Sequence, residues 1–257
     1  MEEVVLQVKN LAAAYRKNTV LHHVNFTVHA GSLTGIVGPN GAGKSTLIKA
    51  LLHLHPVITG DVQFYGTTYK KAKSKISYVP QRGSVDWDFP TTALDVVTMG
   101  LYGEIGWFKW PRAKHKKMAY EALERMGMED YANRQISELS GGQQQRVFLA
   151  RALVQNADLY FMDEPLVGVD ASTERAIMSI LKTLKEAGKT VLVVHHDLQT
   201  VNDYFDHVLL LNKTVIDHGK TEKVFTKDNI AKTYGGNMRW MIMGEEKQRD
   251  VVPSAQQ

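Results

Sequence analysis

A glycine-rich segment between an apolar run and a helical pattern constrains the fold of this chain more than any other feature. Residues 38–45, Gly-Pro-Asn-Gly-Ala-Gly-Lys-Ser, match the pattern G-x-x-x-x-G-K-[ST]. The apolar run 33–37 before them suits a buried strand, and 44–52 read as a helix. Glycines let backbone N–H groups turn inward around an anion, and the helix adds its positive N-terminal end. This context predicts a loop that binds the phosphates of a nucleotide.

The loop assigns tasks to individual side chains. Lys44 is expected to reach the β- and γ-phosphates as a point charge, and the Ser45 hydroxyl to ligate the Mg²⁺ of the nucleotide. The residues expected to hold the nucleotide here are Gly38, Pro39, Asn40, Gly41, Ala42, Gly43, Lys44, Ser45 and Thr46. The alternative is a glycine-rich turn that merely precedes Lys-Ser, and the flanking strand and helix disfavour it. The motif alone indicates a P-loop nucleotide binder and no narrower class.

Composition places this loop in an ordinary globular protein. The chain has 257 residues, of which 44% are hydrophobic and 23% charged, which allows a sizeable core. It has no cysteine, so a disulfide framework and a thiolate metal site are both excluded. The net charge is +4, and the basic clusters 70–75 and 109–117 lack the dense aromatic interleaving of a nucleic-acid groove. We therefore expect no nucleic-acid partner.

The hydropathy pattern bears on where the chain works. The N-terminus, MEEVVLQVKN, carries two acidic residues and no apolar core of a secretory signal. The longest apolar stretches, such as 208–211, are far shorter than the roughly 20 residues of a membrane helix. We expect a soluble, cytoplasmic chain that reaches a membrane only by docking to another subunit.

Strands alternate with helical segments along the chain, which predicts an α/β core with a mainly parallel sheet. The first 30 residues are predicted to form an antiparallel β subdomain. A helical subdomain is expected at about 91–150, and the helical pattern is found in its first part, 91–128. Further strands are expected at 61–65, 76–79, 159–162 and 190–194, a terminal hairpin at 207–211 and 214–217, and helices at 142–153 and after an N-cap at Ser172. Residues 1–225 would form one domain, and 226–257 a closing helix and a flexible tail.

Two carboxylates follow the apolar strand predicted at 159–162. Asp163 is expected to help hold Mg²⁺, and Glu164 is placed to polarise an attacking water as a general base. The alternative is a strand that ends at a solvated acidic turn. The phosphate loop elsewhere in the chain favours the functional interpretation.

Two histidines follow the next buried strand. His195 and His196 stand directly before Asp197. A histidine at the same sheet edge could contact a γ-phosphate, whereas a buried, hydrogen-bonded histidine would be structural. We expect one of the two to be functional and the other structural.

A second glycine-containing segment narrows the class. Residues 139–146 read Leu-Ser-Gly-Gly-Gln-Gln-Gln-Arg, between the phosphate loop and the Asp-Glu pair. This segment resembles the signature of ATP-binding-cassette ATPases, which ordinary P-loop enzymes lack. The resemblance implies that Ser140, Gly141, Gly142 and Gln143, at a helix N-terminus, hold a phosphate. It also implies a P-loop NTPase core, ATP as nucleotide and ATP hydrolysis as the activity.

The resemblance assigns roles to further residues, and it covers about residues 4–225. It implies that Gln81 links Mg²⁺ and the attacking water to the subdomain that faces a permease. Asp170 matches the loop aspartate that communicates across a dimer, and His196 the switch histidine. Tyr15 matches the aromatic residue that stacks on adenine, with a buried tyrosine at a strand end as the alternative. The implied catalytic residues are Glu164, His196 and Gln81, and the implied Mg²⁺ ligands are Ser45, Gln81 and Asp163.

The resemblance also implies an assembly. In that family two cassettes pack head to tail, and each signature faces the phosphate loop of the other. This chain carries one copy of each motif, so a homodimer is the simplest arrangement. The implied partners are integral-membrane permease subunits and, indirectly, an extracytoplasmic metal-binding protein. The chain would then lie peripherally on the cytoplasmic face of the membrane.

A subgroup resemblance suggests the cargo. Residues 82–91, 95–100 and 106–108, with the stretch 166–171, are similar to cassettes of bacterial manganese, zinc and iron chelate-type importers. On that resemblance manganese is favoured, with zinc and iron next. Trp87 and Phe89 would then line the groove that receives the permease, or would pack within the helical subdomain.

Other interpretations stay open. A non-transport cassette ATPase typically carries long coiled coils or two cassettes, and this chain has one cassette and no sustained heptads. A non-catalytic regulator would lack the base or the switch, yet Glu164 and His196 are both present. An importer motor for a different cargo is a further alternative. A zinc site at the histidine pairs 22–23 and 53–55 is disfavoured, because cysteine and a matching third ligand are missing.

Overall fold

A computed structural model describes residues 3–15, 18–106 and 109–235 of the chain. These residues contain two β-sheets and ten α-helices. The strands are β1 (Val4–Tyr15), β2 (Asn18–His29), β3 (Leu33–Val37), β4 (Val57–Phe64), β5 (Ile76–Val79), β6 (Leu159–Met162), β7 (Thr190–His195), β8 (His207–Asn212) and β9 (Thr214–Lys220). The helices are α1 (Lys44–Leu51), α2 (Tyr69–Ala72), α3 (Ala93–Met99), α4 (Tyr102–Ile105), α5 (Ala113–Glu124), α6 (Gly141–Leu153), α7 (Ala171–Glu186), α8 (Val201–Tyr204), α9 (Thr221–Val224) and α10 (Lys227–Tyr234). The predicted α/β fold class is confirmed.

The larger sheet has six strands in the order β5-β6-β7-β3-β8-β9, and its neighbours run parallel except for β8 and β9. Every residue of β3, β6 and β7 is buried, because both faces of the sheet are covered. Alternate residues of β7 face opposite cores: Val193 belongs to the cluster that contains Leu149 and Ile177 of the helices, and Val194 to the cluster that contains Leu47 and Phe64. This burial on both faces explains the continuous apolar runs in the sequence.

Parallel pairing fixes where four of these strands end. Val37 pairs with His195, Met162 pairs with Val193, and Val79 pairs with Met162. The carboxyl ends of β3, β5, β6 and β7 therefore stand side by side. The residues that follow them emerge at one edge of the sheet, where ligands of parallel sheets bind.

The smaller sheet is antiparallel, in the order β2-β1-β4, as predicted for the N-terminal part. The prediction for β4 was wrong at its start, since the strand begins at Val57 and not at 61. Beyond a register shift, Val57 and Thr59 pair with Ala13 and Ala12 of β1. This half of β4 is exposed, so it lacks the alternating apolar pattern that sequence analysis uses to detect a strand.

The predicted helical stretch 91–128 divides into α3, α4 and α5. The apolar face expected on α5 and just after it is present, and its members are buried or partly buried: Met118, Ala119, Ala122, Leu123 and Met126. These residues pack with α3 and α6 around one core. Gly106 directly follows α4, and its φ of 87° is far from the helical range, so the helix ends there.

The expected N-cap of α7 was wrong. Asp170, and not Ser172, caps the helix, and its Oδ1 accepts hydrogen bonds from the backbone N–H groups of Ser172 (2.9 Å) and Thr173 (3.0 Å). An ionised carboxylate is a stronger acceptor than a hydroxyl and also suits the positive end of the helix. Of the predicted closing segment, α10 covers Lys227–Tyr234, and 236–257 lie outside the described residues.

Asp206, between α8 and β8, ties the parallel sheet to a helix. Its Oδ1 accepts a hydrogen bond from the backbone N–H of Leu33 at 2.8 Å, and its Oδ2 lies 3.2 Å from Nζ of Lys185 and 3.2 Å from Nδ1 of His207. Burial alone would raise the pKa of this carboxyl, but the contacts with His207 and Lys185 and the hydrogen bond from Leu33 outweigh it and lower the pKa. Asp206 is therefore more stable as a carboxylate in the folded chain than in the unfolded chain.

We predict that Asp206→Asn lowers the free energy of unfolding at neutral pH by about 2 kcal/mol, because charged hydrogen bonds are lost. The lowered pKa means that the stabilisation is complete above the pKa of the unfolded carboxyl and is lost as the pH falls through the folded value. The variant should therefore lose less stability on acidification than the parent. Urea unfolding followed by circular dichroism measures both effects. The exposed control Asp203→Asn should change stability little, and an equal loss in both variants would contradict the assignment.

Candidate nucleotide site

The loops after β3, β5, β6 and β7 bring the predicted site residues to one edge of the parallel sheet. The loop 38–46 follows β3, Gln81 comes two residues after β5, Asp163 and Glu164 follow β6, and His196 follows β7. Hydrogen bonds join residues of different loops, including one pair that is 118 positions apart in sequence. These residues therefore form one site.

Lys44 is anchored inside the glycine-rich loop. Its Nζ donates to the carbonyl oxygens of Gly38 at 2.6 Å and Pro39 at 3.0 Å, and only 6% of the residue is exposed. Burial lowers the pKa of Lys44, and the charges of Glu164 and Asp163 oppose this shift. The ammonium therefore stands in a partly desolvated position, where its attraction for a phosphate is stronger than in water.

Two glycine properties shape the same loop. Gly41 and Gly43 have φ values of 79° and 96°, in the left-handed region that favours glycine. Gly38 has an ordinary φ, but a Cβ on it would lie 1.9 Å from the carbonyl oxygen of Leu211 in β8. The loop therefore needs glycine for backbone conformation at two positions and for close packing on the sheet at a third.

Asp163 is fully buried beside the start of α1. Its Oδ1 accepts a hydrogen bond from Oγ of Ser45 at 2.8 Å, and its buried Oδ2 has no hydrogen-bond partner among the described residues. Burial raises the pKa of Asp163, and the Ser45 hydrogen bond opposes the shift. A buried carboxylate oxygen left over beside a serine hydroxyl suits a hard divalent cation.

The oxygens of Ser45 and Asp163 alone do not complete the coordination of a metal ion. Within the described ranges, no three His, Cys, Asp or Glu side chains gather in a way that could hold a metal ion. Mg²⁺ bound with a nucleotide needs few protein ligands, because phosphates and water supply the others. Ser45 and Asp163 fit that kind of site.

Glu164 has two side-chain partners from neighbouring strands. Nε2 of Gln81 donates to its Oε2 at 2.7 Å, and Nε2 of His196 lies 2.6 Å from its Oε1. The Glu164 side chain is 14% exposed, and its backbone has a φ of 56°. A non-glycine residue in this conformation is uncommon and is often found at functional sites. The carboxylate is thus held in a fixed direction at the mouth of the phosphate loop.

The two histidines after β7 differ in their surroundings. The His195 ring is buried, lies 2.8 Å from Oγ1 of Thr200, and packs 5.2 Å from the ring of Phe205. Burial lowers its pKa, which favours a neutral ring. The His196 side chain is 35% exposed and contacts Glu164. The structure thus gives His195 a packing position and brings His196 into the site.

The signature segment begins α6. Oγ of Ser140 accepts from the backbone N–H of Gln143 at 3.4 Å, and Oε1 of Gln143 accepts from the Ser140 N–H at 2.9 Å. This reciprocal capping box leaves Gly141 and Gly142 in the first turn, where helical N–H groups have no partner in the helix. The N-terminus of α6 is therefore a preformed anion-binding surface.

The structure does not test the roles predicted for Asp170 and Tyr15. The carboxylate of Asp170 is engaged locally, because it accepts hydrogen bonds from the backbone and side chains of Ser172 and Thr173. These bonds lower its pKa. Tyr15 is the last residue of β1, and its side chain lies outside what the structure describes.

The structure adds a residue that sequence analysis missed. Arg82 donates from Nε and Nη2 to Oε1 of Gln144, at 3.3 and 3.0 Å. Arg82 directly follows Gln81, and Gln144 lies within the signature segment 139–146; these positions were the available signal. Trp87 packs 4.8 Å from the Phe148 ring of α6, whereas Phe89 is 55% exposed. Trp87 therefore makes the packing contact that one interpretation expects, and its place in a groove for the permease stays a prediction.

The fold and the site define an ATP-binding-cassette ATPase, and comparisons with known proteins give the same class. The family model described as "ABC transporter" matches residues 21–167, so the chain belongs to this family and is a nucleotide-binding ATPase. The manganese transport system ATP-binding protein MntB of Bacillus subtilis is 61% identical, over 92% of this chain and 94% of its own length. The zinc transport system ATP-binding protein TroB of Treponema pallidum is 54% identical, over 96% and 92%.

A solved structure extends the comparison to three dimensions. An ATP-binding cassette in a dimeric post-hydrolysis state, bound to ADP and Pi, matches with a TM-score of 0.74 and 30% identity, over 84% of this chain and 98% of its own. Across the described residues, none of the helices has the length and apolar character needed to cross a membrane.

We predict that Gly38→Ala destabilises the chain by about 3 kcal/mol, because the added Cβ would meet the Leu211 carbonyl at 1.9 Å. Gly41→Ala is the matched control in the same loop: it meets no atom within 4 Å and bears only the cost of a left-handed φ, about 1 kcal/mol. Thermal unfolding measured for both variants tests this order. Equal stability of the two variants would contradict the packing of the loop on β8.

Proposed function

We propose that this chain is the ATP-hydrolysing subunit of a bacterial importer for a divalent transition metal, with manganese as the cargo and zinc or iron as the next candidates. The observation that carries the catalytic part is the Glu164 carboxylate, held by Gln81 and His196 beside the phosphate loop. The cargo part rests on two similar proteins, one named for manganese transport and one for zinc transport.

The geometry supports a division of labour in hydrolysis. Water attacks the γ-phosphorus and Glu164 accepts its proton as the general base, while the bond from the γ-phosphorus to the bridging oxygen breaks and ADP leaves. Gln81 fixes the direction of the carboxylate through the 2.7 Å hydrogen bond to Oε2. His196, partly exposed at the same edge, donates a hydrogen bond to the phosphate as negative charge develops.

Binding of the nucleotide uses the other members of the site. Lys44 exchanges the carbonyls of Gly38 and Pro39 for phosphate oxygens, while the backbone of residues 38–46 surrounds the phosphates. Ser45 and Asp163, joined by Gln81, would hold Mg²⁺, which neutralises phosphate charge when bound. Tyr15 would stack on the adenine ring.

A head-to-tail homodimer completes the site in this proposal. Each chain has one phosphate loop and one signature, and Ser140, Gly141, Gly142 and Gln143 would contact the γ-phosphate held by the partner. The similar cassette solved in a dimeric state supports this arrangement. Asp170 would lie near the dimer contact while it caps α7.

The remaining partners follow from the transport role. Integral-membrane permease subunits would hold the dimer on the cytoplasmic face of the membrane, and an extracytoplasmic metal-binding protein would deliver the cargo. No nucleic-acid partner is proposed. Closing of the dimer on ATP and opening after hydrolysis would drive the permease between its two orientations.

We predict that Glu164→Gln lowers the ATP turnover number about 10³-fold and leaves ATP affinity nearly unchanged, because the base is lost and the phosphate contacts remain. Lys44→Ala should instead weaken nucleotide binding about tenfold or more. Phosphate release and equilibrium binding of a fluorescent ATP analogue separate the two effects. The exposed controls Glu186→Gln and Lys71→Ala make the same charge changes away from the site and should match the parent. Parental turnover by Glu164→Gln would show that another group is the base.

We predict that deleting the gene lowers cellular manganese under metal limitation, and that the parental gene restores it whereas the Glu164→Gln gene does not. Elemental mass spectrometry of manganese, zinc and iron in these strains measures the effect. A selective fall in zinc or iron would reassign the cargo. Unchanged levels of all three metals in every strain would leave an ABC ATPase with a different role.

A further inference from the structure

The guanidinium of Arg82 joins the loop that carries Gln81 to the signature helix. Nε and Nη2 donate to the same oxygen, Oε1 of Gln144, at 3.3 and 3.0 Å. Gln144 is only 4% exposed, and its Nε2 donates to the carbonyl of Ile136 at 3.0 Å. Arg82 thus holds a buried residue of α6 that is itself fixed to the segment before the signature.

Arg82 also touches the signature directly. A Cβ placed on Gly141, the first residue of α6, would lie 2.7 Å from Nη1 and 2.8 Å from Cζ of Arg82. The guanidinium therefore packs against the glycine whose N–H faces the anion-binding end of the helix. A side chain larger than hydrogen at this position would displace Arg82.

This position is electrostatically unfavourable for a cation. The N-terminus of a helix carries a partial positive charge, which repels a guanidinium. Two sets of contacts offset the repulsion. One is the pair of hydrogen bonds to Gln144, and the other is Trp87, whose ring centroid is 5.8 Å from Cζ and whose Nε1 donates to the Arg82 carbonyl at 2.9 Å. A group held against repulsion by several specific contacts has a defined geometry.

These contacts connect the residues around Glu164 with the signature at the start of α6. Glu164 is bonded to Gln81, Gln81 is followed by Arg82, and Arg82 contacts Gly141 and Gln144. In the proposed dimer, Glu164 serves the ATP of its own chain and the signature serves the ATP of the partner. The connection thus runs from one nucleotide to the other within a single chain.

We propose that Arg82 is a positioning residue that fixes the signature relative to Gln81, so that ATP in one site sets the position of the signature offered to the second site. The inference rests on the head-to-tail dimer of the proposed function. Arginine suits the task because its planar fork donates in fixed directions and packs on an aromatic ring. Lysine at this position offers one point charge and would restore the connection in part.

The test uses the full chain with Glu164→Gln, here called the trapped parent, because slow hydrolysis keeps ATP bound to it. ATP is titrated while the dimer fraction is followed by sedimentation velocity, in the trapped parent and with Arg82→Ala or Arg82→Lys added. We expect Arg82→Ala to raise the ATP concentration for half-maximal dimer formation about tenfold and Arg82→Lys to raise it less. Binding of a fluorescent ATP analogue to the monomer should change less than about twofold, because the side chain of Arg82 contacts Gln144, Gly141 and Trp87.

Two controls separate coupling from stability. Arg134→Ala removes another exposed arginine that lies over a ring, Tyr131 at 5.1 Å, and should dimerise like the trapped parent. Gln144→Ala should also raise the ATP concentration for half-maximal dimer formation. The effect of the double variant should be smaller in free energy than the sum of the single effects, because both substitutions remove the Arg82–Gln144 hydrogen bonds. Additive effects of the two substitutions would overturn the proposal.

The remaining outcomes also decide the question. If the trapped parent dimerises with ATP and Arg82→Ala dimerises at the same concentration, the positioning role is wrong and the proposed function stands. If ATP affinity and the melting temperature fall in proportion to dimer formation in both Arg82 variants, Arg82 is structural only. If the trapped parent stays monomeric at saturating ATP, the proposed head-to-tail dimer is wrong, and so is this inference.

Discussion

Parallel pairing of β3 with β7 and of β7 with β6 is the constraint on which the rest of the structure depends. The register places Val37, Met162 and His195 at one end of the sheet, so that the loop 38–46, the Asp-Glu pair and His196 emerge together. Both faces of these strands are buried, and a shift of the register would expose apolar side chains. The free energy that holds the core together therefore also holds the site together.

The site contains two charged side chains that are almost completely shielded from water. Lys44 and Asp163 are almost completely buried, and burial shifts the pKa of each toward the neutral form. Each is retained by partners that offset part of that cost: carbonyls of the loop for Lys44, and the hydroxyl of Ser45 for Asp163. Part of the hydrogen-bonding capacity of Asp163 is left over, which is the property expected of a cation ligand.

Two groups of site residues lie apart from each other in the structure. Glu164, Gln81 and His196 form a cluster beside the phosphate loop, while the signature forms a capped helix end at the start of α6. Arg82 spans the two through Gly141 and Gln144. In the proposed head-to-tail dimer these two groups serve different nucleotides, and Arg82 would couple the two sites.

The sequence by itself determined the elements and the motif chemistry, because strand periodicity, helix caps and glycine loops depend on neighbours within a few positions. One prediction of this local kind was wrong: Asp170, and not Ser172, is the N-cap of α7. Tertiary structure decided which residues orient Glu164, and that Arg82 contacts Gln144. The partners Gln81 and Glu164 are 83 positions apart, and Arg82 and Gln144 are 62 apart. Contacts at such separations are set by how strands and helices pack, which no local pattern of residues encodes.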